Sequence, residues 1–185
     1  MTGAAPVVHL NGYPGCGKLT IGRVLVRKIG GRLLHNHLAL DAAGALFTRG
    51  TPGHGVLRQT VTGALCAAAR GLPPDIPLVV TNALADSAED RALMAPFEAL
   101  AAARGAAFRP VTLEVSEEEN RRRLADPARA DRGKLQDVAV LEGLRRRHAL
   151  LVPEGAVALD VSAMTPEAAA GEIIAVLGLL SGGET

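Results

Sequence analysis

The 185-residue chain contains no tryptophan, one tyrosine and three phenylalanines, so aromatic side chains amount to 2% of it. Surfaces that bind single-stranded nucleic acid stack bases on aromatic rings, and this chain has almost nothing to build one from. Its formal net charge of +1 gives no bulk attraction for a polyanion or an anionic membrane either. Cysteine is scarce. Cys16 and Cys66 stand alone, which excludes a disulfide framework and a cysteine-based metal centre. Lysine is scarcer than arginine, three residues (Lys18, Lys28, Lys134) against seventeen. No apolar stretch is long enough to span a bilayer and no signal peptide is apparent, so the expected location is the cytoplasm.

What remains is an aliphatic chain, 48% hydrophobic, of a length that suits a single α/β domain over residues 1–185. Five apolar, strand-like runs fall at 6–11, 32–35, 77–84, 109–115 and 156–161. Helix-like spacing occupies 18–29, 56–71, 88–104, 135–151 and 166–180 between and after them. Continuous apolar strands such as Pro77-Leu78-Val79-Val80 belong to sheets covered on both faces. Strand–helix alternation then predicts a doubly wound parallel sheet, with ligands at the carboxyl ends of its strands. Punctuation agrees with these boundaries. Gly30-Gly31 stops the first helix, Gly105 the one beginning near Ala88, and Thr165-Pro166-Glu167 reads as a cap, a first-turn proline and an acid suited to the helix dipole.

The most informative segment is 12–20, Gly-Tyr-Pro-Gly-Cys-Gly-Lys-Leu-Thr, directly after the first strand. Glycines allow a backbone to curl round a polyphosphate with its amides pointing inward. A helix beginning at Lys18 would aim its positive end at the same anion. Gly12, Pro14, Gly15, Cys16, Gly17, Lys18, Leu19 and Thr20 are therefore the candidate nucleotide-binding residues, with Lys18 reaching the terminal phosphates. The hydroxyl that usually follows the lysine is replaced by Leu19. Mg²⁺ would then rely on Thr20, water and a carboxylate. Cys16 is small, as its place in the loop requires, and nearby positive charge would favour a reactive thiolate.

Other candidates cluster at predicted strand ends. After the second strand come His35 and His37, then Asp41. On extended backbone the two rings face the same way, and a neutral imidazole can accept a proton from an acceptor hydroxyl. Two loop histidines bonded to backbone are the plainer alternative, and zinc binding with His54 is a third. The glycine-rich stretch 47–55 reads as an acceptor-binding loop in which Arg49, together with Arg58, can fork onto a phosphate or carboxylate. Asp86 is the first carboxylate after the third strand, a candidate Mg²⁺ or nucleophile-orienting group and equally a helix cap. Ser116 caps a helix with an acidic first turn. Residues of about 117–134 read as an arginine-rich lid supplying Arg123, Arg129 and Arg132 to neutralise a moving phosphoryl group. Arg145-Arg146-Arg147 reads as a solvated helix face.

These motifs, Gly12–Thr20, Val79-Val80-Thr81-Asn82 with Arg91, Val111 to Ser116 with the arginine-rich stretch, and Leu159-Asp160-Val161-Ser162, resemble small P-loop kinases of the adenylate-, shikimate- and gluconate-kinase type. They are also similar to the group of AAA-type ATPase kinases that includes chloramphenicol phosphotransferase and polynucleotide kinase domains. The Gly-Lys-x-Thr ending of the loop fits nucleotide kinases better than GTPases or motor ATPases. The resemblance implies strand order 2-3-1-4-5, ATP with Mg²⁺ as cofactors, and γ-phosphoryl transfer to the hydroxyl of a small-molecule acceptor by a monomer or homodimer. Lys18, Asp86, His37, Arg129 and Arg132 would be catalytic, Arg123 would bind the nucleotide with the loop, and His35, His37, Asp41, Arg49 and Arg58 would face the acceptor. The histidine pair departs from the family, which carries acidic residues there. An ATP-binding regulatory switch and a nucleic-acid end kinase are the alternatives.

Overall fold

Along the buried part of the first strand, apolar side chains alternate between two helical layers. In β1 (Ala4–Gly12) Val8 and Leu10 point to a cluster built with α1 (Lys18–Ile29) and α7 (Pro166–Leu177). Val7 points the other way, to Cys66 and Ala69 of α3 (Pro52–Arg70) and to Phe97, Leu100 and Ala101 of α4 (Ala88–Ala103). The sheet is therefore sandwiched, as its continuous apolar strands require. The computed structural model describes residues 3–125 and 138–179.

The five strands, β1, β2 (Arg32–His35), β3 (Leu78–Asn82), β4 (Ala106–Glu114) and β5 (Val157–Asp160), are all parallel and lie in the order β2-β3-β1-β4-β5. This is the doubly wound α/β architecture expected from the alternation. β1 is central, in register with β3 at Asn11↔Asn82 and with β4 at Gly12↔Leu113. Its carboxyl end thus opens into the crevice at the middle of the sheet.

Two helices differ from the sequence reading. The segment after β2 is helical, α2 (His37–Gly44), and packs on α3. α3 begins four residues before the expected start, because Thr51 caps it by accepting from the His54 amide and Pro52 sits in its first turn. The glycine-rich loop is shortened accordingly. The expected lid begins, as read, with a helix capped by Ser116, α5 (Glu117–Leu124). The remainder of that lid lies outside the described residues, up to α6 (Val138–Arg147). No helix of the described residues is long and apolar enough to cross a membrane.

Candidate active site

The loop between β1 and α1 takes its shape from glycine. Gly15 and Gly17 have φ of 90° and 102°, and Gly17 caps α1 with no side-chain hydrogen bond. Gly12 is needed for a different reason: a Cβ there would lie 2.9 Å from the Leu113 carbonyl oxygen and 2.7 Å from Cys16 Sγ. The loop's carbonyls are held by side chains. Lys18 Nζ donates to Gly12 O and Tyr13 O, both at 3.0 Å. Asn120 Nδ2 donates to Pro14 O at 2.9 Å and Arg123 Nη1 to Cys16 O at 2.9 Å. With those carbonyls committed elsewhere and the helix N-terminus open, the chain presents the donor-rich concavity that suits an anion.

This loop forms one wall of a cleft of about 380 Å³. Pro14, Gly15, Gly17, Lys18, Leu19 and Thr20 line it from one side, Asn36, His37 and Arg49 from another, and Val140 and Leu144 of α6 from a third. A smaller cavity of about 30 Å³ is lined by His35, Arg58 and Asn82, among others, and shares Asn36 with the cleft. The junction is fixed by the Asn36 amide, which donates to Thr81 O at 3.1 Å.

The two histidines do not share one surface. β2 ends at His35, and His37 opens α2, so the extended geometry that would align them stops between them. Their rings lie 6.2 Å apart, inclined by 51°, with His37 on the cleft and His35 on the smaller cavity. Asp41, one helical turn on, sets Oδ1 3.5 Å from His37 Nδ1 while remaining 72% exposed. Among the described residues no three histidine, cysteine or acidic side chains gather as a metal centre. His54 is buried in the first turn of α3.

Arg49 lines the cleft. Arg58 forms no ion pair or side-chain hydrogen bond among the described residues. Burial holds its pKa below the usual arginine value, Asp90 opposes that, and the charge of Arg49 adds to it. Arg123, expected to touch nucleotide, has its guanidinium tied up in the protein. Nε donates to Glu119 at 2.6 Å, Nη1 to Cys16 O, and Nη2 to Val161 O and Ser162 O at 2.7 and 3.0 Å. Hydrogen bonds from Arg122 and Arg123 pull the Glu119 carboxyl down to about 2. Arg129 and Arg132 lie outside the described residues.

Asp86 does not line the cleft. It pairs with Arg91, is half exposed, and receives its backbone restraint from Ala149 O. It is not the helix cap either: Ser87 caps α4, accepting from the Asp90 amide at 3.1 Å. Cys16 is wholly buried, which removes it from reagents in solution although its Sγ lies 4.0 Å from Lys18 Nζ. Thr20 lines the cleft and is the hydroxyl there placed at the start of α1. It fits a Mg²⁺ ion completed by water and phosphate oxygens.

Sequence reasoning missed several residues behind the site. Asn11 is buried and bonds Leu84 N, Leu84 O and Leu151 O, pinning the end of β1 to the chain after β3. His9 is buried between Phe97 and Phe108 and bonds Asn82 Oδ1 at 3.1 Å. Arg145, read as part of a solvated face, is only 18% exposed. A signal for it existed: it stands one helical turn after the buried Leu141.

The fold is that of small P-loop kinases. No protein-family model matches the chain, and no curated protein sequence matches it. Solved structures do. The tunicamycin resistance protein of Deinococcus radiodurans is similar at 22% identity, with 97% of this chain and 100% of that one covered and a TM-score of 0.63. The APS kinase of Mycobacterium tuberculosis, in complex with AMPPNP and APS, is 18% identical over 96% and 99% of the two chains, with a TM-score of 0.62. A shikimate kinase of Bacteroides thetaiotaomicron is 18% identical over 94% and 99%, with a TM-score of 0.58.

Proposed function

We propose that the protein is an ATP-dependent phosphotransferase of the cytoplasm that moves the γ-phosphoryl group to a hydroxyl of a small molecule. The observation that carries this reading is the single cleft in which the loop, Lys18 and Thr20 face His37 and Arg49. The loop amides and the N-terminus of α1 take the phosphates, and Lys18 exchanges two neutral carbonyls for charged phosphate oxygens, the stronger partners. Thr20 and water would hold Mg²⁺, which would supply charge neutralisation on the phosphates. Asp86, committed to Arg91 and lining neither cavity, would reach that ion only through water.

On the acceptor side His37, steadied by Asp41, takes the proton of the attacking hydroxyl. His35 and Arg58 border the adjoining cavity. Arg58, half-buried and without an ion pair among the described residues, gains most from an acceptor that carries a carboxylate or phosphate, and Arg49 widens that preference. Sugar acids and other hydroxylated acids are the class we favour. Arg129 and Arg132 remain proposals for neutralising the transferred group.

Incubation with γ-labelled ATP and a panel of hydroxylated acids, sugars and nucleosides tests this. The expected result is label on an acidic acceptor, abolished in Lys18→Ala and slowed about 10²-fold or more in His37→Gln. Arg58→Gln is expected to raise the acceptor KM with kcat nearly unchanged. Label recovered only as inorganic phosphate with every acceptor would contradict the reading. One observation favours the regulatory-switch alternative: no carboxylate lines the cleft among the described residues. That alternative requires tight ATP binding and no labelled small molecule.

A further inference from the structure

Resting on the nucleotide-binding reading, we propose that Arg145 is a positioning residue that sets the shape of the phosphate loop from α6. It touches the segment 13–15 through two independent routes. Its guanidinium carbon lies 4.6 Å above the Tyr13 ring, a cation–π contact. Its Nη1 donates to Asn120 Oδ1 at 3.0 Å, while Nη2 donates to Val115 O at 3.3 Å. Asn120 is wholly buried, and its other amide atom, Nδ2, holds Pro14 O.

The chemistry of the amide makes Arg145 the determinant of that second contact. Arginine offers only donors, so the Asn120 oxygen must face it and the NH₂ must face the loop. The NH₂ also sits hard against Gly15, where an added Cβ would come within 2.6 Å of Nδ2. Tyr13 is pinned at its far end by donating to His148 O at 2.8 Å, just beyond α6. Arg145 thus braces both flanks of the turn from which the phosphate-facing amides hang. The neighbouring arginines do not share this task. Arg146 is 72% exposed and lies 3.7 Å from Glu142, and Arg147 Nε returns to Gly143 O of its own helix. A lysine at 145 cannot both stack on Tyr13 and fork to two oxygens. Sub-ångström displacement of loop amides is enough to weaken a triphosphate's hold, since oriented sites tolerate about 0.5 Å.

Calorimetry with a non-hydrolysable ATP analogue and Mg²⁺ tests the proposal on the full chain. Arg145→Lys, Arg145→Met, Asn120→Ala and Tyr13→Leu should each weaken analogue binding roughly tenfold. The Arg145→Met/Asn120→Ala pair should be little weaker than the worse single variant, because both remove the same link. Arg146→Met, one position on, should bind as the wild type does, and a purely structural role for Arg145 would lower the thermal midpoint without touching affinity. Wild-type affinity in Arg145→Lys, or penalties for Arg145→Met and Asn120→Ala that simply multiply, would overturn the proposal while leaving the kinase reading intact. A wild-type protein that does not bind the analogue would overturn both.

Discussion

His9 carries an ionisable ring into the middle of β1, where the surrounding phenylalanines offer no counter-charge. Nε2 meets Asn82 Oδ1, and Nδ1 has no hydrogen-bond partner among the described residues. Burial brings its pKa down from 6.5 to about 4, partly offset by the Asn82 bond. Because the folded value lies below the unfolded one, the unfolded chain binds more protons between those limits. Stability is therefore complete above about pH 6.5 and falls as the pH drops toward 4. The loss should be about 2 kcal/mol by pH 5. Urea unfolding at pH 7.5 and pH 5 measures it, and His9→Gln should flatten the difference. Equal stability of the wild type at both pH values would refute this. Glu119, with its carboxyl lowered from 4.5 to about 2, extends the decline below pH 4.5, where protonation breaks its bonds to Arg122 and Arg123. Gly15 is constrained by its backbone and by its neighbour alike. With φ of 90° and Asn120 packed against it, Gly15→Ala should cost about 1–3 kcal/mol in strain and abolish measurable ATP-analogue binding. A Gly15→Ala protein with wild-type affinity would show that the turn is not set as described.

Between elements, one side chain holds the loop that joins α3 to β3 and contains Pro73 and Pro74. Arg104, at the end of α4, donates to Ala69 O, Leu72 O, Pro73 O and Ile76 O. Arg104→Lys loses the planar fork and should cost about 2 kcal/mol in stability, with ATP-analogue affinity unchanged; an unaltered unfolding midpoint would contradict this. Arg104 illustrates what the sequence hides, since its four acceptors lie 28 to 35 residues away. Local signals were legible. α1 spans Lys18–Ile29 as read, and Thr165 and Ser116 cap their helices because cap chemistry lies within four residues. Where two cap-type residues adjoin, local chemistry does not choose. Ser87 rather than Asp86 caps α4 because Asp86 is drawn to Ala149 and Arg91. α3 starts early on the Thr51 cap and Pro52, a signal masked in the sequence by the poor helix propensity of Gly53 and Gly55; Gly53 also leaves room for the Phe47 ring, 2.7 Å from where its Cβ would be.

For the whole molecule, strand alternation and apolar runs were enough to read five parallel strands and their flanking helices. The order β2-β3-β1-β4-β5 then places the carboxyl end of β1 beside those of β3 and β4, at the crevice where such sheets receive ligands. The loop after β1 was legible because its glycines, lysine and following helix are consecutive in sequence. The proposed acceptor side was only partly legible. His37 and Arg49 share the cleft with the loop, but His35 and Arg58 border a separate small cavity, and Asp86 lines neither. Those outcomes depend on how α2 and α3 pack, which spacing does not encode. The contacts that Asn120, Arg123 and Arg145 make with the loop depend likewise on how α5 and α6 pack, although the place of Arg145 one turn after Leu141 hinted at its burial.

The most direct test of the central claim is an amide-resolved ¹⁵N NMR titration with a non-hydrolysable ATP analogue and Mg²⁺. The amides of Gly15, Cys16, Gly17, Lys18 and Leu19 should show the largest shift changes, saturating with a single affinity that Lys18→Ala lowers steeply. Saturable binding that leaves those five amides unmoved, or binding unaffected by Lys18→Ala, would contradict the claim that this loop holds the triphosphate.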